Sequence, residues 1–82
     1  MNQKIFTMNL GVETVSLYLL CCAVADTGSP ITHSALQDKW NGSSEGLARE
    51  IASLEKRNII YSDNSAELGE TVYYLMKEKH WR

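Results

Sequence analysis

The chain has 82 residues, 44% hydrophobic and 22% charged, a length that supports one hydrophobic core and a composition that is globular rather than disordered. A formal charge of -2 gives no overall positive field toward nucleic acid, membrane or acidic substrate, so any such binding must come from a local patch. The longest near-apolar run, Val15 to Ala25, is too short to span a bilayer, and no signal-peptide pattern precedes it; the expectation is one domain over 1–82, cytoplasmic, with no membrane association.

Residues 1–10 alternate weakly through Ile5, Phe6, Met8 and Leu10 and read as an N-terminal arm or a lead into the first helix. That helix is predicted over Val12 to Asp26, with Asn9 as its cap and Thr27-Gly28-Ser29-Pro30 as its stop. Its apolar residues fall on two sides: Val12, Val15, Tyr18, Leu19 and Cys22 on one, Leu17, Leu20, Cys21 and Val24 on the other. Both sides need cover, from the arm and the C-terminal segment or from a second copy. A homodimer through helix 12–26 is the expectation. Cys21 and Cys22 are adjacent in a helix and cannot bridge each other; they read as small buried apolar residues in a reducing compartment.

Pro30-Ile31-Thr32 reads as a short extended segment. A second helix follows over His33 to Trp40, capped by Thr32 or Ser34, with Leu36 and Trp40 as its buried pair. Asn41-Gly42-Ser43 then makes a tight turn in which glycine is free to take positive φ. The helix after it, about Ser44 to Arg57, is the most strongly patterned stretch of the chain. Leu47, Ile51 and Leu54, with Ala48 beside them, form its apolar stripe, and Glu45, Arg49, Ser53 and Lys56 form the opposite face, flanked by Gly46 and Arg57. Ser44 caps its start and Asn58 ends it in left-handed geometry.

Ile59-Ile60-Tyr61 and Thr71-Val72-Tyr73-Tyr74-Leu75-Met76 carry β-branched and aromatic residues and read as the two strands of a hairpin around the polar stretch Ser62 to Glu70. Residues 77–82 form a short basic tail. In it Trp81 reads either as an anchor folded back on the first helix or as an exposed contact.

Helix, Gly-containing four-residue turn, helix is a helix-turn-helix order. With the flanking elements it resembles, over about 10–76, the winged helix-turn-helix domains of small prokaryotic transcription regulators. Leu54-Glu55-Lys56-Arg57-Asn58-Ile59-Ile60 is similar to that family's Leu-Glu-x-x-Gly-Leu-Ile junction between recognition helix and wing, and Pro30-Ile31-Thr32 ahead of Leu36 resembles its short strand and second-helix entry. The resemblance implies an α+β fold of three helices, a short first strand and a β-hairpin wing, with helix 44–57 entering the major groove of double-stranded DNA. It places Ser43, Ser44, Glu45, Arg49 and Ser53 at the groove. Arg49 reads a base, while Lys39, Lys56, Arg57 and Lys77 bind phosphates.

Three departures stand beside the resemblance. Asn58 replaces the junction glycine, Gln37 stands where the family carries a small residue between second and third helices, and the hairpin loop bears Asp63, Glu67 and Glu70 with no cation. From Asp38 to Arg57 the charges of Lys39, Arg49, Lys56 and Arg57 are balanced by Asp38, Glu45, Glu50 and Glu55. This balance and the acidic loop keep an alternative reading open, a winged-helix protein-protein interaction module that binds a basic partner and no DNA.

His33 and His80 lie far apart and accompany no nucleophile, and no CxxC, HExxH, GxGxxG or phosphate-loop pattern occurs. No catalytic residue, metal or cofactor is expected. Tyr18, Trp40, Tyr61, Tyr73 and Tyr74 occupy apolar positions of predicted elements and read as core or hairpin packing.

Overall fold

A computed structural model describes residues 3–64 and 69–82. Residues Gln3–Thr7 form a 3-10 turn that buries Ile5 completely. Helix α1 then runs over Val12–Asp26, as the sequence predicts. Its cap differs: Gly11 occupies the N-cap position without a side-chain bond, and Asn9 instead takes φ 60 in the turn before it. The asparagine uses its tolerance of left-handed geometry to redirect the arm, which leaves it too early in the chain to cap. At the other end Gly28 takes φ 81 and its N–H reaches the Ala25 carbonyl at 3.0 Å, closing the helix.

Strand β1, Ile31–Thr32, leads directly into helix α2, His33–Lys39, where the Thr32 hydroxyl accepts the Ala35 N–H at 3.1 Å. Helix α3, Ser44–Lys56, follows the four-residue turn Trp40 to Ser43. Strands β2, Ile60–Asp63, and β3, Val72–Leu75, complete an antiparallel sheet in the order β1-β3-β2, with Tyr61 opposite Tyr74 and Ile31 opposite Tyr73. The fold is α+β, three helices and a three-stranded sheet in a winged-helix-like arrangement.

The core joins Leu17, Tyr18 and Cys21 of α1 to Leu36 of α2, to Leu47, Ile51 and Leu54 of α3, and to Ile59, Ile60 and Tyr73. Helix α1 is covered on both sides from within the chain. The arm contributes Ile5, and the tail contributes Trp81, which is only 9% exposed and meets the Tyr18 ring edge-on at 5.5 Å. The Trp81 indole N–H donates to the Met76 carbonyl at 3.0 Å. Trp81 is therefore an anchor on the first helix. The burial of Leu17, Cys21, Cys22 and Val24 removes the two-sided apolar surface that led to the dimer expectation. Two large apolar residues of this region stay open, Val12 at 83% and Phe6 at 57% exposure.

Among the described residues no helix is long and apolar enough to cross a membrane.

Candidate nucleic-acid interface

Helix α3 is fixed at both ends by its own sequence. The Ser43 hydroxyl accepts the Gly46 N–H at 3.0 Å, so Ser43 and not Ser44 is the cap; Ser44 is already the first helical residue. At the C-terminus Asn58 takes φ 58, the Asn58 N–H reaches the Glu55 carbonyl and the Ile59 N–H reaches the Leu54 carbonyl, each at 3.0 Å. This pair of bonds is the Schellman closure, with asparagine in the place where glycine is commonest.

The turn into α3 uses glycine for a different reason than expected. Gly42 does not have positive φ. A Cβ there would lie 2.8 Å from Trp40 Nε1, so the backbone passes directly over the indole and only glycine leaves room. The covered Trp40 N–H is buried and finds no acceptor among the described residues. Gln37 is exposed and so does not stand between α2 and α3.

The buried face of α3 comprises Leu47, Glu50, Ile51 and Leu54. Glu50 is only 8% exposed and accepts the Thr14 hydroxyl of α1 at 2.5 Å, a polar pair that ties the helix to α1. Its inclusion turns the helix slightly from the expected phase. Ala48, expected within the apolar stripe, is exposed, as is Ala52. The outward face reads Glu45, Ala48, Arg49, Ala52 and Lys56, all exposed. Two exposed alanines between charged residues give the face low relief, and an alanine methyl suits contact with a thymine methyl.

The remaining expected site residues divide. Ser43 and Ser44 are exposed at the start of the helix, although the Ser43 oxygen is occupied in capping. Lys39 and Arg49 share the wall of a cleft of about 520 Å³ between α1 and the α2–α3 turn, lined also by Glu13, Ser16, Leu20 and Trp40. These two cations and the amino end of α3 lie together. Ser53 sits at the edge of the outward face, half-buried, and its hydroxyl donates to the Arg49 carbonyl at 3.1 Å; its donor is spent within the helix. Arg57 turns away from the face, its Nε donating to the Arg82 main-chain oxygen at 2.5 Å while the Arg82 N–H returns to the Arg57 carbonyl at 2.8 Å. Lys56 and Lys77 are exposed. Lys77 follows Met76, which is bonded to Ile59 just past the end of α3, so it lies at the opposite end of the helix from Lys39.

In the hairpin, Asp63 is exposed, and Glu70 is committed to the start of α2. The Ser34 N–H donates to Glu70 Oε1 at 2.9 Å and the Ser34 hydroxyl to Oε2 at 3.1 Å. These bonds, the backbone one foremost, hold the Glu70 carboxyl below the ordinary carboxylate range. The expectation for Glu67 lies outside the described residues.

His33 and the two cysteines have structural settings, while His80 is exposed. His33 Nδ1 is 3.0 Å from the Tyr73 hydroxyl, whose pKa is raised by burial and then by the Glu55 charge. Cys21 and Cys22 are free thiols in the core, and burial, with the neighbouring Cys22, pushes Cys21 up to about 12, a value that keeps it an unreactive thiol at neutral pH. Among the described residues no group of three or more His, Cys, Asp or Glu side chains is placed to hold a metal ion.

Comparisons of the chain with family models, with curated proteins and with solved structures each found no match.

Proposed function

We propose that this chain is a winged helix-turn-helix regulator of transcription that binds double-stranded DNA, acts without catalysis or cofactor, and works in the cytoplasm, where its buried thiols stay reduced. The observation that carries the reading is the outward face of α3, on which Glu45, Ala48, Arg49, Ala52 and Lys56 are all exposed while the opposite face locks into the core. A capped helix presented in this way on a preceding helix fits the major groove. Arg49, near the centre of the face, is the base-reading residue, with a guanine as its bidentate partner. Lys39, beside the amino end of α3, and Lys56 serve as phosphate contacts. Arg57 and Ser53 take no direct part in this reading, because their donors are engaged internally.

Pairing of half-sites would use Phe6 and Val12, the large apolar residues of the arm and α1 that are exposed. Sedimentation at micromolar concentration tests that step, and a Val12→Glu substitution should leave only monomer.

The DNA reading is tested by selecting a preferred duplex from a random pool and comparing variants on it. Arg49→Ala should remove the preference, a loss of about 1–3 kcal/mol, and leave salt-sensitive background binding. Lys56→Ala should weaken preferred and random duplexes alike and flatten the salt slope by about one unit. Equal loss of preference in both variants would remove the assignment of Arg49. The second reading, an interaction module without DNA binding, draws on the hairpin, where residues 60–76 contain no Lys or Arg.

A further inference from the structure

The sheet has a second face that the DNA reading does not use. Strand alternation and the observed register put Ile31, Ile60, Tyr73 and Leu75 toward the helices, and Thr32, Tyr61, Asp63, Val72 and Tyr74 on the other side. On that side Tyr61 is 49% and Tyr74 41% exposed, and their rings stack at 5.0 Å with 21° between planes.

Beside this pair runs an apolar groove of about 520 Å³ lined by Ala25, Pro30, Ile31, Val72, Tyr74 and Leu75. It exists because β1 stops short. Its two residues pair with Val72 and Tyr73, and Gly28, Ser29 and Pro30 before them line the groove instead of extending the strand. The His33 N–H bonds to the Thr71 carbonyl, so ladder alternation turns the N–H and C=O of Leu75 toward the gap.

Acidic residues flank the groove and the tyrosine pair, and Lys77 lies two residues past the lining residue Leu75. Asp63 shares the tyrosine face, and Asp26 adjoins the lining residue Ala25 at the end of α1. Helix α1 has no basic residue in its last turn, so the negative end of its dipole at the groove is uncompensated. No Lys or Arg occurs from 60 to 76.

We propose that this face docks an extended, arginine-bearing segment of a protein partner. The segment's backbone adds to the open edge of β3 at Leu75, an apolar side chain fills the groove over Pro30 and Ala25, and a guanidinium stacks on the outer face of the tyrosine pair between Asp26 and Asp63. The same charges repel a phosphate backbone, which separates this surface from a nucleic-acid stacking platform. The proposal does not depend on α3 binding DNA.

The probe is an eight-residue peptide of alternating arginine and leucine, titrated into isotope-labelled protein and followed by amide chemical shifts. Shifts should concentrate at 28–31, 61–63 and 72–75 and leave α3 unmoved. Tyr61→Ser and Tyr74→Ser, both at exposed positions, should each weaken binding about 3- to 10-fold with an otherwise unchanged spectrum, and Asp63→Asn should weaken it further. Three results would overturn the proposal: shifts centred on α3, equal affinity for the counterpart peptide with glutamate in place of arginine, or tighter binding of an eight-nucleotide oligothymidine to the same face.

Discussion

Trp81 closes the chain over α1, and its removal should be among the most damaging single changes available. The side chain is nearly buried, packs edge-on against Tyr18, and satisfies the Met76 carbonyl. Truncation of a core tryptophan to alanine costs about 3–5 kcal/mol. Within that loss, the edge-to-face contact accounts for about 0.5–1.5 kcal/mol and the hydrogen bond for about 1 kcal/mol. A chain of 82 residues has a total stability of about 4–12 kcal/mol, so Trp81→Ala removes at least a quarter of it and lowers the melting temperature by at least about 12 °C. Trp81→Phe keeps an aromatic ring against Tyr18 but leaves the Met76 carbonyl without its donor, and should cost about 1–2 kcal/mol. Urea unfolding followed by circular dichroism measures both without relying on the removed fluorophore. A Trp81→Ala variant within about 0.5 kcal/mol of wild type would refute the anchoring role. It would also reopen the uncovered side of α1 as an intermolecular surface.

Ile51→Ala should cost about 2–5 kcal/mol and Ser53→Ala under about 0.5 kcal/mol in the same denaturant assay, because one opens the core and the other frees a half-exposed hydroxyl; comparable costs would mean the helical phase of α3 is wrong. Glu70 has a folded-state carboxyl below its ordinary value of 4.5, so its contribution is complete above that value and is lost as pH falls below it through the folded value. Glu70→Gln should therefore lower stability at neutral pH and remove part of the acid sensitivity, and an unchanged pH profile would show that the bonds to Ser34 contribute nothing.

Local signals and long-range ones were unequally legible. The bounds of α1 and the closure of α3 at Asn58 followed from helical period and end chemistry, which act within a few residues. The phase of α3 differs because Glu50, which the helical pattern left unassigned, is buried against Thr14, a partner 36 positions away. Ser53 read as a groove residue although its hydroxyl bonds within the helix to the Arg49 carbonyl, and Arg57 read as a phosphate contact. Arg57 is held by Arg82, 25 positions on, and no periodicity reports such a contact. The arm and tail have too few residues for a period, yet Ile5 and Trp81 are both buried, a tertiary effect of the exposed helix they cover. Tyr61 and Tyr74 were legible as hairpin packing. Their exposure was not, because strand alternation gives two faces without saying which one the core takes.

The central claim is that the face of α3 meets duplex DNA, and the salt dependence of wild-type binding to random duplex tests it most directly. With Lys39 and Lys56 as phosphate contacts and the amino end of α3 as a third, log K should fall with log salt at a slope of about −2 to −3. Fluorescence anisotropy of a labelled duplex across a salt series reads this slope. Binding that is measurable at low salt and follows it is the predicted result; no measurable duplex affinity at low salt, or affinity indifferent to salt, would contradict the account.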